Sequence, residues 1–195
     1  MRLVLASASQ SRTALLKAAG VAFTTDPADL DETALMDALR GADAEEIAST
    51  LAQKKALHVS QRHPGATVLG GDSVIGFDGE SLSKCATLDE ARVLLARLSG
   101  RTHLLVSAAA LARDGVLLWA HASPCKMVMR DLSLQFLDNY IAAEGAAILS
   151  SVGCYHYEGR GSQLFDTVEG DYFSVLGLPL LPVLAALRKE GVLAS

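Results

Sequence analysis

Nothing in this chain of 195 residues looks able to span a membrane: half of its residues are hydrophobic, yet no run approaches the about 20 consecutive apolar residues needed to cross a bilayer. No membrane partner is therefore expected, and the apolar residues are directed into a core. The opening, Met1-Arg2 before a short apolar strand, has no long apolar region of the signal-peptide kind, so the cytoplasm is the expected location. Positive charge is sparse as well. The 17 lysines and arginines form no basic run longer than a pair and the formal net charge is −5, a balance that argues against nucleic acid as a main partner. Three cysteines, Cys85, Cys125 and Cys154, are too widely spaced for a zinc knuckle and odd in number, so reduced thiols are expected. The five histidines form no H-x-x-x-H pair, and His103 reads as structural.

No linker, repeat or low-complexity run divides the sequence, and 195 residues suffice for a sizeable core, so residues 1–195 are read as a single domain. Apolar strands alternate with helices. That gives the α/β class: one mixed, twisted β-sheet with flanking helices, either a single lobe or two lobes around a central cleft. Strands are expected over Val4–Ala6 and Ala66–Leu69, and helices up to about Ala19, over Ala44–His63, near Leu132–Ala143 and over Leu180–Lys189. Asp78-Gly79 and Asp114-Gly115 are turn pairs that predict hairpins, the second joining Leu104–Ala112 to Val116–His121.

Several places carry chemistry. In LASASQSR, Leu5–Arg12, hydroxyls crowd the point where a strand meets a helix. Free N–H groups at such an end attract an anion, and Arg12 falls on the inner side of the helix with Leu15, Leu16 and Ala19. An ordinary cap with a snorkelling arginine fits the same residues. On the next helix Lys55 lies within the apolar stripe Ile47, Ala48, Leu51, Ala52, Ala56 and Val59. A lysine there must meet an anion, either a carboxylate or a ligand phosphate. The predicted strand Ala66–Leu69 ends in Gly70-Gly71-Asp72, where an acid could hold a divalent metal or orient a water. The following hairpin returns Lys84 toward Asp72, for an ion pair or for a shared ligand. Gly159-Arg160-Gly161 fits a tight turn or a phosphate loop.

These segments resemble, in order, the Maf family of nucleotide pyrophosphatases: LASASQSR, DLDET at Asp29–Thr33, AQKKA at Ala52–Ala56, GGDSVI at Gly70–Ile75, GESLSK at Gly79–Lys84, LSGRTH at Leu98–His103 and GDYFSVLGLPL at Gly170–Leu180. The resemblance covers nearly the whole chain and implies the Maf/ITPase-like fold. It also implies hydrolysis of a nucleoside triphosphate between the α and β phosphates, with a divalent magnesium or manganese ion, in a house-cleaning role and with a homodimer as a plausible assembly. By similarity Asp72 is the proton acceptor or a metal ligand, Glu32 shares the metal, and Ser7, Arg12, Lys55 and Lys84 grip the triphosphate.

Three positions are associated with base choice in the family, here Ser11, Ser73 and Glu158. A glutamate only accepts hydrogen bonds and guanine offers a pair of donors, so Glu158 leans toward a guanine-type base. YEGRGSQLF is similar to the branch that takes 7-methyl-GTP. Tyr155 and Tyr157 are candidates to stack on the base or to pack in the core. The chain also departs from the family: Gln10, Ser11 and Arg12 stand where proline and two arginines are common, Cys85 replaces a proline, and Ser151 stands where many members carry lysine, a loss for which Arg160 is a candidate replacement. The alternative is a nucleotide-sensing regulator of cell division with little turnover; a nucleotidyl- or phosphotransferase is a second rival.

Overall fold

The computed structural model describes residues 2–194, and of Thr33 only the backbone. Its centre is a seven-stranded mixed sheet in the order β2-β1-β3-β5-β6-β7, with β4 paired to the far end of β3. The strands are β1 (Leu3–Leu5), β2 (Thr24–Thr25), β3 (Thr67–Phe77), β4 (Glu80–Leu82), β5 (Thr102–Arg113), β6 (Val116–Met129) and β7 (Phe165–Glu169). β1 runs parallel to β2 and β3, and the remaining pairs are antiparallel. Both predicted hairpins form. Asp78 and Asp114 adopt positive φ of 53° and 51°, each followed by a positive-φ glycine, the backbone that a two-residue hairpin turn demands.

The helices are α1 (Gln10–Ala18), α2 (Glu32–Ala38), α3 (Ala44–Ser60), α4 (Leu88–Leu98), α5 (Leu134–Glu144), α6 (Tyr172–Val175) and α7 (Leu180–Lys189). Side chains of a strand alternate between the two faces of the sheet. One face of β3, with Gly70, Val74 and Gly76, lies under α3, whose small residues Ala44, Ala48, Ala52 and Ala56 allow close packing on β3 and β5. A Cβ on Gly70 would sit 2.2 Å from the Ala52 carbonyl oxygen, so helix and sheet touch backbone to backbone there.

The other face carries two separate apolar groups. Leu3, Leu5, Leu69 and Leu111 pack with α1 and α7 at one end, and Ile75, Phe77, Met127 and Met129 pack with α4 and α5 at the other. The long strands run through both groups, so one sheet carries two lobes. No described helix is long and apolar enough to cross a membrane.

Three boundaries differ from the sequence reading by about three residues or more. α3 stops at Ser60, short of His63, and β6 continues past His121 to Met129. The third difference bears on the site: β3 does not end at the glycines but continues through Gly70, Gly71 and Asp72 to Phe77. On the side away from β5, β1 pairs with residues 67–69 and β4 with residues 75–77. The edge between Leu69 and Ile75 is left open at the carboxyl end of β1, with Asp72 at its middle.

Candidate active site

The β1–α1 junction is ordered by its own hydroxyls. Ser9 caps α1 by accepting from the Arg12 backbone N–H at 3.4 Å, and the Ser7 hydroxyl accepts from the Ser9 N–H at 3.2 Å. Arg12 is buried. Its guanidinium donates to Ser7 Oγ at 3.1 Å, to Ser73 Oγ at 3.0 Å and, through Nε, to the Gly177 carbonyl at 2.9 Å. Every one of these acceptors is neutral, and among the described residues no carboxylate pairs with it directly. Burial lowers the Arg12 pKa from its ordinary range, against the opposing pull of the Asp72 and Glu32 carboxylates. Gly71 makes the approach possible, since a Cβ there would lie 3.0 Å from Arg12 Nε.

Lys55, also buried, resolves the conflict of a cation on an apolar helix face by meeting two acids. Its Nζ lies 2.6 Å from Asp72 Oδ1 and 2.8 Å from Glu32 Oε1. Glu32 stands in the first turn of α2, where Asp31 caps the helix by accepting from the Ala34 N–H. The Glu32 side chain is 53% exposed whereas that of Asp72 is 12% exposed. One acid therefore faces solvent and the other is recessed.

Nine of the residues singled out from the sequence line one cleft of about 1340 Å³: Ser7, Ser11, Arg12, Glu32, Lys55, Asp72, Ser73, Lys84 and Glu158. The open edge of β3 forms part of its wall, with the β1–α1 junction on one side and the segment after β4 on the other. Ser151, Tyr155 and Tyr157 line it as well. Within this grouping two expectations are corrected. Lys84 reaches the cleft but is not the cation on Asp72; Lys55 is, because the α3 face of β3 brings the two together. Arg160 lies outside the cleft lining and approaches Glu144 at 3.6 Å, so it does not stand in for a missing cation. Its segment forms a 3-10 turn (Arg160–Leu164) in which Gly161 fits against the His156 backbone. The tight-turn reading therefore holds there. Ser73 already binds Arg12 and Ser107 through its hydroxyl.

Ser107 carried no signal in the sequence, whereas His103 was read there as structural and is buried. Ser107 is a single serine in the apolar strand β5, and its contact with Ser73 follows only from the register that sets the two opposite each other. His103 is buried with Nε2 2.8 Å from the Tyr155 hydroxyl, while its Nδ1 has no partner. Tyr155 is thereby fixed in the core, and Tyr157 packs edge-on to Phe165 and Tyr172. The cysteines are all free thiols.

Comparison with known proteins adds a family to this geometry. A protein of Brucella abortus named 7-methyl-GTP pyrophosphatase is 49% identical over 97% of this chain and 96% of its own length. Another of that name from Mesorhizobium japonicum is 47% identical over 98% of each. A protein of Granulibacter bethesdensis named nucleoside triphosphate pyrophosphatase is 45% identical over 99% of each. Residues 2–190 match the profile described as Maf-like protein, and with relatives of such identity along almost the full length, the chain belongs to the Maf-like protein family.

Proposed function

We propose that this cleft hydrolyses a nucleoside triphosphate between its α and β phosphates, yielding a nucleoside monophosphate and pyrophosphate in the removal of modified or non-standard nucleotides. The observation that carries the reading is the pairing, in one cleft, of two carboxylates held by Lys55 with a buried arginine that meets only neutral acceptors. Arg12 is a fixed charge oriented for an anion that must bring several negative oxygens. Ser7, Lys55 and Lys84 complete the grip, and spreading positive charge over a triphosphate stabilises the charge that moves onto the departing pyrophosphate. The names of the relatives support the same substrate class.

Asp72 serves as the proton acceptor for the attacking water. Lys55 engages Oδ1, which leaves Oδ2 to take the proton as the water oxygen bonds to the α phosphorus and the bridging oxygen leaves with pyrophosphate. Glu32 and Asp72 are the residues that would hold a divalent magnesium or manganese ion. Among the described residues no group of three or more acids, histidines or cysteines converges, so the protein would supply two carboxylates. That donor set suits a hard cation completing its shell with water and phosphate oxygens. When bound, such an ion supplies further neutralisation of phosphate charge. Glu158 supports a guanine-type base, including 7-methyl-GTP, because its carboxylate only accepts hydrogen bonds.

The test incubates the purified protein with magnesium or manganese and UTP, dTTP, GTP or 7-methyl-GTP, and identifies the phosphorus products by chromatography. Monophosphate plus pyrophosphate is expected, lost on chelation and reduced about a hundredfold or more in Asp72→Asn. Orthophosphate with a diphosphate would overturn the assignment of the bond, and tight nucleotide binding without products would leave a sensor.

A further inference from the structure

We infer that Ser107 is a positioning residue for the triphosphate site, acting through Ser73 on the Arg12 guanidinium; this rests on the phosphate-binding reading of Arg12 above. Ser107 is completely buried on β5, outside the cleft lining, and its hydroxyl hydrogen-bonds to the cleft residue Ser73. Its Oγ lies 2.9 Å from Ser73 Oγ, and Ser73 Oγ lies 3.0 Å from Arg12 Nη2. Arg12 has only N–H groups to offer, so Ser73 must accept from it and keep its own proton away from that side. Between Ser73 and Ser107 either hydroxyl can donate, and in both directions the bond holds the Ser73 hydroxyl in place. Without it, the Ser73 hydroxyl can rotate and one of the three acceptors that orient the guanidinium is no longer fixed.

The requirement is stricter for Arg12 than for a surface arginine. Its side chain is held from three separate segments, by Ser7 after β1, Ser73 on β3 and the Gly177 carbonyl between α6 and α7. No carboxylate pairs with it directly among the described residues. Orientation therefore comes from these neutral contacts, and a guanidinium binds phosphate oxygens best when its fork is fixed in advance. The same chain of contacts accounts for Ser73 as a support of Arg12.

The inference is tested by binding of inorganic triphosphate, measured by calorimetry on the full chain, alongside kcat and KM for the preferred nucleotide. Ser107→Ala is expected to weaken triphosphate binding and raise KM by about three- to tenfold, the range for loss of one hydrogen bond, with kcat changed less than about twofold. In a Ser73→Ala background the same substitution is expected to change binding less than about twofold, because the link it acts through is already gone. Should Ser107→Ala fail to fold, Ser107→Cys, of similar size and weaker hydrogen bonding, is expected to show the same dependence on Ser73. Unchanged triphosphate binding, or an equal loss with and without Ser73, would overturn the inference. Wild-type protein that binds triphosphate without turning nucleotides over would instead overturn only the proposed hydrolysis.

Discussion

Lys55 and Arg12 are both buried cations, yet the chain supports them by opposite means. Lys55 has a carboxylate on either side, so its removal leaves Asp72 and Glu32 without the cation between them. Arg12 is held by hydroxyls and a carbonyl, with no carboxylate paired to it directly among the described residues. His103 is another polar group in the interior, and its effect is on stability. Burial lowers its pKa from 6.5 to about 4. Below about pH 6.5 the unfolded chain binds a proton on this ring and the folded chain does not until about pH 4. The contribution of His103 to stability is therefore complete above pH 6.5 and falls as pH drops through this window, by at most about 3 kcal/mol, then levels off. His103→Gln, which retains a partner for the Tyr155 hydroxyl, is expected to flatten that part of the acid limb. Urea unfolding of both proteins between pH 4 and pH 7 measures it, and parallel curves would show that His103 does not set the limb.

At the scale of elements, the contact of α3 with β3 determines whether Lys55 reaches Asp72 at all. A methyl group at Gly70 would lie 2.2 Å from the Ala52 carbonyl oxygen and 2.7 Å from the Ala56 nitrogen, both backbone atoms on either side of Lys55. Neither can swing aside as a side chain does, so Gly70→Ala must push the helix off the sheet. Overpacking of this kind costs about 3 kcal/mol or more where the backbone must move. The expected result is a lower urea midpoint together with loss of turnover, and a variant of wild-type stability would show that the helix yields easily. The same glycines explain where the sequence misled. Gly70-Gly71 reads as punctuation after an apolar strand, whereas here two glycines in succession serve two different faces, one for α3 and the next for Arg12. The cue that Asp72 lies at a strand's carboxyl end was right in position but belongs to β1, whose end opens the edge of β3. Apolar periodicity, cap serines and the two Asp-Gly turns were legible because each is local. The Ser73–Ser107 register and the Asp72–Lys55 pair depend on how distant segments align, which no local pattern contains.

Across the whole molecule a net charge of −5 coexists with a cleft that gathers the cations Arg12, Lys55 and Lys84 together with the acids Glu32, Asp37, Asp72 and Glu158, so charges of both signs meet there. The cleft runs along the open edge of β3, and its lining divides into two sets. Arg12 from α1, Lys55 from α3, Lys84 after β4, Glu32 from α2 and Asp72 from β3 form one set, while the segment following α5 brings Ser151, Tyr157 and Glu158. Under the proposed function, a nucleotide with its phosphates against the first set would extend its base toward the second. Glu158 is exposed there and offers a carboxylate that accepts two hydrogen bonds but donates none, which matches the paired N–H donors of guanine and not the mixed edge of uracil. A guanine methylated at N7 also carries positive charge, which a carboxylate favours and an amide does not. Glu158→Gln should therefore lower kcat/KM for 7-methyl-GTP most, for GTP less, and leave UTP unchanged or improved. The ratio of 7-methyl-GTP to UTP is expected to shift by about tenfold, the equivalent of one charge-assisted hydrogen bond. Initial rates across the four nucleotides decide it: a uniform fall would mean that Glu158 supports the loop, and an unchanged ratio would move base selection to other residues of the cleft.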